Sequence, residues 1–136
     1  LNVFFETFVN NSREPIIVQQ FLPDVSNGDK RIILVDGEPI GAINRIPPHD
    51  DIRSNMHVGG TPTKSDLTER DIEICNRLSP VLKKKNLFFV GIDVIGQHLT
   101  EINVTSPTGL QELERFENKN YASMIWEGVE KKWNSG

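Results

Sequence analysis

Cysteine, long apolar runs and surplus positive charge are all scarce in this sequence, and each scarcity argues against a class of protein. The single cysteine, Cys75, excludes an internal disulfide and a cysteine-rich metal site. No apolar run approaches the ~20 residues that a membrane-spanning helix needs, and no secretory leader is recognisable. A net charge of −4 argues against a broad nucleic-acid surface, which is normally basic. We therefore expect a cytoplasmic protein with no membrane or nucleic-acid partner.

The length and composition favour one domain with a hydrophobic core. The chain has 136 residues, of which 37% are hydrophobic and 25% charged. It opens at Leu1 inside an apolar pattern that no capping residue precedes. We therefore expect the chain to be a piece of a longer protein.

A hairpin expected in the second half of the chain gathers polar oxygen atoms on one face. Alternate residues of a strand face the same way, so Glu101 and Asn103 share a face. If the chain turns at Gly96 and Gln97, Asp93 lies across from Glu101. Two adjacent carboxylates repel unless a cation or proton joins them, and Mg²⁺ favours a few carboxylates with carbonyl oxygens and phosphates. The pattern favours a magnesium site, and the alternative is an ordinary amphipathic hairpin with a solvated polar face.

The remaining pattern predicts an α+β domain, a mostly antiparallel sheet with helices packed on one side. Asp36 and Gly37 predict a tight hairpin turn, Thr68 and Asp71 predict a helix cap, and Pro80 predicts a kink or break. Strands are expected at 16–21, 31–35 and 39–45, helices at 1–9, 68–85, 110–116 and 122–133, and a long loop at 46–64. The faces expected to be buried are Ile72, Cys75, Leu78 and Leu82 on one helix, and Ile125, Trp126, Val129 and Trp133 on the last.

Several short motifs, in order, resemble the ATP-grasp ligases and within them the bacterial glutathione synthetases. The likeness extends from about Ile16 onward and is most marked over Leu87–Thr108, which contains the hairpin described above. It implies that residues 1–136 are the carboxyl-terminal subdomain of an ATP-grasp domain, with a lid loop at about 46–64. The amino-terminal domain and the first half of the ATP-grasp domain would then be absent. The other motifs that carry the likeness are Val18–Pro23, Gly28–Arg31, Asp36–Pro39, Arg45–Pro47, Arg53–Asn55 and Gly59–Gly60.

The resemblance also implies three groups of site residues. The metal ligands would be Asp93, Glu101 and Asn103. The residues in contact with the acyl phosphate and the substrate carboxylates would be Arg31, Arg45, Arg53 and Asn55. The residues of the nucleotide, lid and product sites would be Gln19, Gln20, Phe21, Leu22, Asp29, Gly59, Gly60 and Thr108. Each of these residues also has an ordinary explanation, as a surface arginine, a core strand or a turn.

The function implied by the resemblance is the ligation of glycine to γ-glutamylcysteine through an acyl phosphate, with ATP and Mg²⁺, or Mn²⁺ in its place. The partners would be these small molecules and the missing amino-terminal part of the same enzyme, and the oligomeric state stays open, a homo-oligomer included. One alternative is another ATP-grasp carboxylate-amine ligase. The other is a non-catalytic nucleotide- or metal-binding fragment, because in the family the lysines that hold the phosphates lie upstream. The isolated fragment is expected to be inactive.

Overall fold

The structure is a computed structural model that describes residues 2–11, 14–15, 17–48 and 60–134. Within these residues, five strands form one antiparallel sheet in the order β3-β2-β1-β4-β5. The strands are β1 (Asp29–Val35), β2 (Glu38–Ile46), β3 (Thr61–Ser65), β4 (Phe89–Ile95) and β5 (His98–Asn103). The helices are α1 (Asn2–Asn11), α2 (Glu69–Lys84), α3 (Leu110–Glu117) and α4 (Tyr121–Asn134), with a short 3₁₀ helix at Pro23–Asn27.

The turn between β1 and β2 follows directly from its two residues. Asp36 has a φ of 48° and Gly37 a φ of 78°, the left-handed pair that a two-residue hairpin turn needs. A side chain at Gly37 would meet the Ser79 hydroxyl at 2.7 Å, because α2 packs closely against the turn. The hairpin predicted from Asp-Gly is confirmed.

The first turn of α2 is held by the capping box that the sequence predicts. The Thr68 hydroxyl accepts from the Asp71 amide at 3.2 Å, and the Asp71 carboxylate accepts from the Thr68 amide at 2.8 Å. Of the kink or break expected at Pro80, no break occurs, since the helix continues to Lys84. Pro80 and Asn76, whose carbonyl loses its helical partner, are both exposed, so water can satisfy that carbonyl.

Two apolar clusters lie on opposite faces of the sheet, as the alternation along β1 requires. The larger cluster joins α2 to one face, and the smaller joins α3 and the start of α4 to the other. The predicted α+β class and antiparallel sheet are confirmed, with α2 packed along one side. The larger cluster includes Ile32, Leu34, Ile74, Cys75, Leu82, Ile92 and Val94, and the smaller consists of Ile33, Ile43, Leu113 and Tyr121.

The buried face of α2 is rotated slightly from the predicted one. Ile74 and Cys75 are buried, whereas Ile72, expected in the core, is exposed. The reason is that Asp71 also turns toward the sheet, where it meets Lys30, and this moves the buried face away from Ile72. Burial raises the pKa of the Cys75 thiol to about 11, in keeping with its predicted place in the core.

Two local predictions are wrong, and in both cases strand pairing is the reason. Of the strand predicted at 16–21, the described residues 17–21 form no strand, and Ile17 and Val18 are 88% and 78% exposed. Branched side chains favour a strand only where a neighbour pairs with it, and no described strand does so here. Conversely, all of β3 but its last residue lies in the loop predicted at 46–64, because β3 pairs with the second half of β2. Pro62 is tolerated there since β3 is an edge strand.

The apolar stripe of α4 is mostly exposed, contrary to the prediction. Trp126 and Trp133 are 67% and 85% exposed, and Val129 is exposed as well. Tyr121 is buried instead, because α4 meets the smaller cluster through its first residue. The predicted helices themselves are present at all four places, and no described helix has the length and apolarity to cross a bilayer.

Candidate functional site

Four neighbouring strands of the sheet, in the order β2-β1-β4-β5, bring five charged side chains together. Asp29 of β1 pairs with Arg45 of β2. Arg31 of β1 pairs with Asp93 of β4, which in turn pairs with Glu101 of β5. Strand alternation places Asp29 and Arg31 on the face opposite to α2. These side chains line a cleft of about 650 Å³, which Asn103 and residues 107–112 complete.

Asp93 is the centre of a buried network of ion pairs. Its carboxylate is held in a fork by the Nε and Nη2 atoms of Arg31, the latter at 2.9 Å from Oδ2. Arg45 Nη2 lies 2.9 Å from the same Oδ2 and 2.5 Å from Asp29 Oδ2. Arg31, Arg45 and Asp93 are only 5%, 4% and 3% exposed. The positive charges of Arg31 and Arg45 are therefore neutralised by the negative charges of Asp93 and Asp29. Buried ions need such partners, because they have lost their contact with water.

The ion pairs of the network shift the pKa values of Asp93 and Arg31 in opposite directions. Burial alone would raise the pKa of Asp93, but its hydrogen bond with Arg31 and the charges of Arg45 and Arg31 lower the pKa below its ordinary value. Burial alone would lower the pKa of Arg31, yet the hydrogen bond and charge of Asp93 raise it. Both residues are therefore charged at neutral pH.

A glycine in the neighbouring strand leaves room for the Arg31 side chain on the cleft face of the sheet. A side chain at Gly91 of β4 would come within 2.8 Å of Pro107 and 3.1 Å of the Arg31 stem. The glycine therefore leaves room for both. At its far end Arg31 donates from Nη1 to the Thr108 carbonyl at 3.1 Å, which ties the loop before α3 to the network.

Glu101 and Asn103 form the more open side of the cleft. When the Asn103 amide is oriented to suit both neighbours, it donates to Glu101 Oε1 at 3.2 Å and accepts from Arg31 Nη2 at 3.2 Å. The chain turns at Gly96 and Gln97 as predicted, and an irregularity in the pairing of β4 with β5 follows Asp93. Such bulges re-aim side chains and are common beside active sites.

The donor set is compatible with a magnesium ion. The described residues contain no group of three or more histidine, cysteine or acidic side chains able to hold a metal, so a site here rests on two carboxylates and one amide. Glu101 faces the cleft, and the carboxylate of Asp93 keeps acceptor capacity beside its arginine partners. Mg²⁺ keeps several waters and takes phosphate oxygens, so one or two carboxylates suffice.

A second cleft of about 600 Å³ lies further along the same hairpin. Gln19, Gln20, Phe21 and Leu22 form one wall, and these are the residues that the resemblance assigns to the nucleotide site. The other wall consists of Ile95, His98, Leu99 and Thr100, at the turn end of β4 and β5. The two clefts are therefore at successive positions on one hairpin.

Most of the predicted site residues are brought together in these two clefts. Gly60 is buried just before β3 and lines neither cleft, and Thr108 contributes its carbonyl to Arg31. Arg53, Asn55 and Gly59 lie outside the described residues, as do the other lid residues from 49 to 58. The first cleft contains Asp29, Arg31, Arg45, Asp93, Glu101, Asn103 and Thr108, and the second contains Gln19, Gln20, Phe21 and Leu22.

Sequence reasoning missed the part of the cleft wall that α3 supplies. Gln111 and Glu112 of its first turn line the cleft, beside Gly109, whose φ of 105° admits the chain into the helix. The available signal was a pair of polar residues, Gln111 and Glu112, that follows the Ser-Pro-Thr-Gly turn after Leu110. Two tertiary contacts direct that turn toward the arginines: the packing of Leu113 against the sheet and the bond from Arg31 to the Thr108 carbonyl.

Residues 1–118 match the family model for the prokaryotic glutathione synthetase ATP-grasp domain. The chain belongs to this family. A glutathione synthetase of Agrobacterium fabrum is 57% identical over 127 residues, covering 93% of this chain and 40% of that protein. Glutathione synthetases of Mesorhizobium japonicum and Synechocystis sp. are 58% and 49% identical, over 93% and 97% of this chain and 41% of each relative. The chain thus spans about 40% of the length of these relatives.

Proposed function

We propose that this chain is the carboxyl-terminal part of an ATP-dependent glutathione synthetase that joins glycine to γ-glutamylcysteine. The observation that carries the proposal is one cleft with two different walls. One wall holds two buried guanidinium groups, and the other presents a carboxylate and an amide toward the same space. Guanidinium groups recognise carboxylate and phosphate, while the opposite wall suits a cation. A reaction that joins a carboxylate to a phosphate with a metal ion needs both.

Glu101, Asn103 and Asp93 are the residues proposed to hold Mg²⁺, or Mn²⁺ in its place. The bound ion would neutralise phosphate charge during phosphoryl transfer. The adjacent cleft formed by Gln19–Leu22 is proposed to receive the nucleotide base, because the hairpin leads from it to Glu101. A nucleotide lying along the hairpin would then place its phosphates beside the acidic pair.

Arg31 and Arg45 are proposed to hold the substrate carboxylate and the acyl phosphate. Their buried ion pairs with Asp93 and Asp29 fix the guanidinium groups before a substrate arrives, which reduces the reorganisation needed during the reaction. Arg53, Asn55, Gly59 and Gly60 are proposed, from the resemblance alone, to complete the site from the lid. A closed lid would keep water from the acyl phosphate.

In the proposed reaction, a carboxylate oxygen of γ-glutamylcysteine takes the terminal phosphoryl group of ATP and releases ADP. The glycine amine then attacks the acyl carbon, the carbon–nitrogen bond forms, and the bond to the phosphate oxygen breaks. Inorganic phosphate leaves, and the amine loses a proton. This sequence needs no protein nucleophile, and the arginines act by orientation and charge.

A chimera tests the proposal. The matching segment of the Agrobacterium fabrum enzyme is replaced by this chain, and ADP release is measured with γ-glutamylcysteine and glycine. We expect ATP-dependent release with this pair. Turnover with other amino-acid pairs but not this one would favour a different ATP-grasp ligase, and a folded chimera with no turnover on any pair would favour a non-catalytic fragment.

The metal assignment has its own test in the same chimera. Glu101→Gln preserves size and removes the charge, so we expect turnover to fall by at least about a hundredfold. Its matched control is Glu112→Gln, since Glu112 lines the same cleft from α3 but is not in the proposed metal set. Equal losses in the two variants would argue against a special role for Glu101.

A further inference from the structure

A second ion pair lies on the α2 side of the sheet, behind the cleft. Lys30 Nζ is 2.6 Å from Asp71 Oδ2, and the two side chains are 17% and 2% exposed. The same Nζ donates to the Asp66 carbonyl at 3.1 Å. Asp71 Oδ2 also accepts from the Thr68 amide at 2.8 Å. One lysine therefore joins the start of β1 to the segment between β3 and α2.

The place of Lys30 in its strand connects this pair to the cleft. Lys30 stands between Asp29 and Arg31, so its side chain points to the α2 side while theirs point into the cleft. In the sheet Lys30 pairs with Asn44 and Val94, the neighbours of Arg45 and Asp93 in their own strands. Holding Lys30 thus sets the position of the strand segment from which the arginine network extends.

The first turn of α2 also contacts the hairpin that carries Asp93 and Glu101. Arg70 Nε donates to the Gln97 carbonyl at 3.1 Å, at the turn between β4 and β5. Residues 66–71 therefore bond to both the start of β1 and the tip of the hairpin. These are the two elements whose relative position shapes the cleft.

Stability alone is a weak reason for a buried ion pair in this place. Replacing such a pair by apolar side chains of similar size is often neutral or stabilising, whereas a hydrogen-bonded pair holds its partners at one distance and orientation. We propose that Lys30 and Asp71 are positioning residues for the cleft, which hold the start of β1 against α2 so that Arg31 meets its substrate correctly. This inference rests on the proposed ligase function.

The experiment uses the active chimera and measures KM and kcat separately. A loss of folded protein lowers the apparent kcat but leaves KM unchanged, while a displaced Arg31 weakens binding of the carboxylate substrate. We expect Lys30→Met and Asp71→Asn each to raise the KM for γ-glutamylcysteine by about tenfold, since a shift of ~1 Å in a positioning group has effects of this order or larger. Lys30→Arg keeps the charge, so its KM for γ-glutamylcysteine should lie close to that of the parent.

Thr68→Ala is the matched control. It removes the hydroxyl half of the capping box but leaves Lys30 and Asp71 in place, so we expect the KM to stay close to that of the parent. The double variant Lys30→Met with Asp71→Leu supplies an apolar pair that is expected to fold. Its KM should remain raised, because the apolar pair gives no directed contact to Asp66 or Thr68.

A KM in Lys30→Met or in the double variant equal to that of Thr68→Ala would overturn the positioning role. The proposed function is judged separately, from the parent chimera. A parent that folds but is inactive contradicts the ligase proposal, while an active parent with unchanged KM in these variants contradicts only the inference about Lys30 and Asp71.

Discussion

The two faces of the sheet are built from the same strands but are put to different uses. The face under α2 is apolar apart from the ion pair of Lys30 with Asp71, and Ile32, Leu34, Ile92 and Val94 pack with the helix in its core cluster. The opposite face has a small apolar cluster and, beside it, four buried or partly buried charges. Substitutions on the two faces should therefore have different effects.

The largest expected effect is on the charged face, where one substitution should lower both stability and turnover. Arg31→Met leaves the buried carboxylate of Asp93 with Arg45 alone, and breaking a buried pair costs about 3–5 kcal/mol. We expect denaturant unfolding to show a loss of about 3 kcal/mol together with loss of turnover in the chimera. Retention of both would mean that the charges on this face are dispensable.

On the apolar face, a core truncation should affect stability alone. Ile92→Ala removes a fully buried side chain at the centre of the larger cluster and should cost about 2–5 kcal/mol. Assayed well below its melting temperature, the variant should keep the parent KM for γ-glutamylcysteine. A raised KM would show that the two faces are coupled more tightly than the comparison implies.

The pH dependence of stability should draw on one carboxylate from each face. The pKa of Asp71 is lowered, since its bonds with Lys30 and Thr68 outweigh the burial that would raise it, and the pKa of Asp93 is lowered by its arginines. A lowered folded-state pKa contributes stability above the ordinary value of 3.8, and that contribution is lost as the pH falls through the folded value. We expect the free energy of unfolding to fall steeply below about pH 4.

Asp71→Asn and Asp93→Asn separate the two contributions to this acid dependence. Each variant should be less stable than the parent at pH 7 and should lose less stability on acidification, because one carboxylate no longer takes up a proton. The same acid slope in the parent and both variants would assign the loss to other groups.

The smallest effect is expected outside both faces. Trp133 on α4 is 85% exposed, so Trp133→Ser should change the free energy of unfolding by no more than ~0.5 kcal/mol. Tyr121→Ser, at the buried start of the same helix, is the control and should be clearly destabilising. Equal losses in thermal unfolding would show that the whole of α4 supports the fold.

Prediction from the sequence succeeded where a few adjacent residues decide the structure. Asp36 and Gly37 specify their turn through backbone conformation, and Thr68 and Asp71 cap α2 through a contact three residues apart. Prediction failed where a partner distant in the chain decides. The branched residues at 17–18 have no strand beside them, and the apolar stripe of α4 has little to pack against among the described residues.

The candidate site divides in the same way. Alternation alone placed Glu101 and Asn103 on one face, and the order of the motifs indicated the family that residues 1–118 match. The contacts of Arg31 with Asp93 and Thr108 join residues 62 and 77 positions apart. Periodicity carries no information on such pairs.

The sequence by itself determined the turns, the helix cap, the alternating faces of the strands and the membership of the family, because each depends on residues close together or on motifs in order. Only the tertiary structure decided that Asp93 lies between Arg31 and Arg45, that Lys30 meets Asp71 behind them, and which helix stripes are buried. The physical reason is that strand register and helix packing are set by the free energy of the whole assembled core, which no local pattern contains.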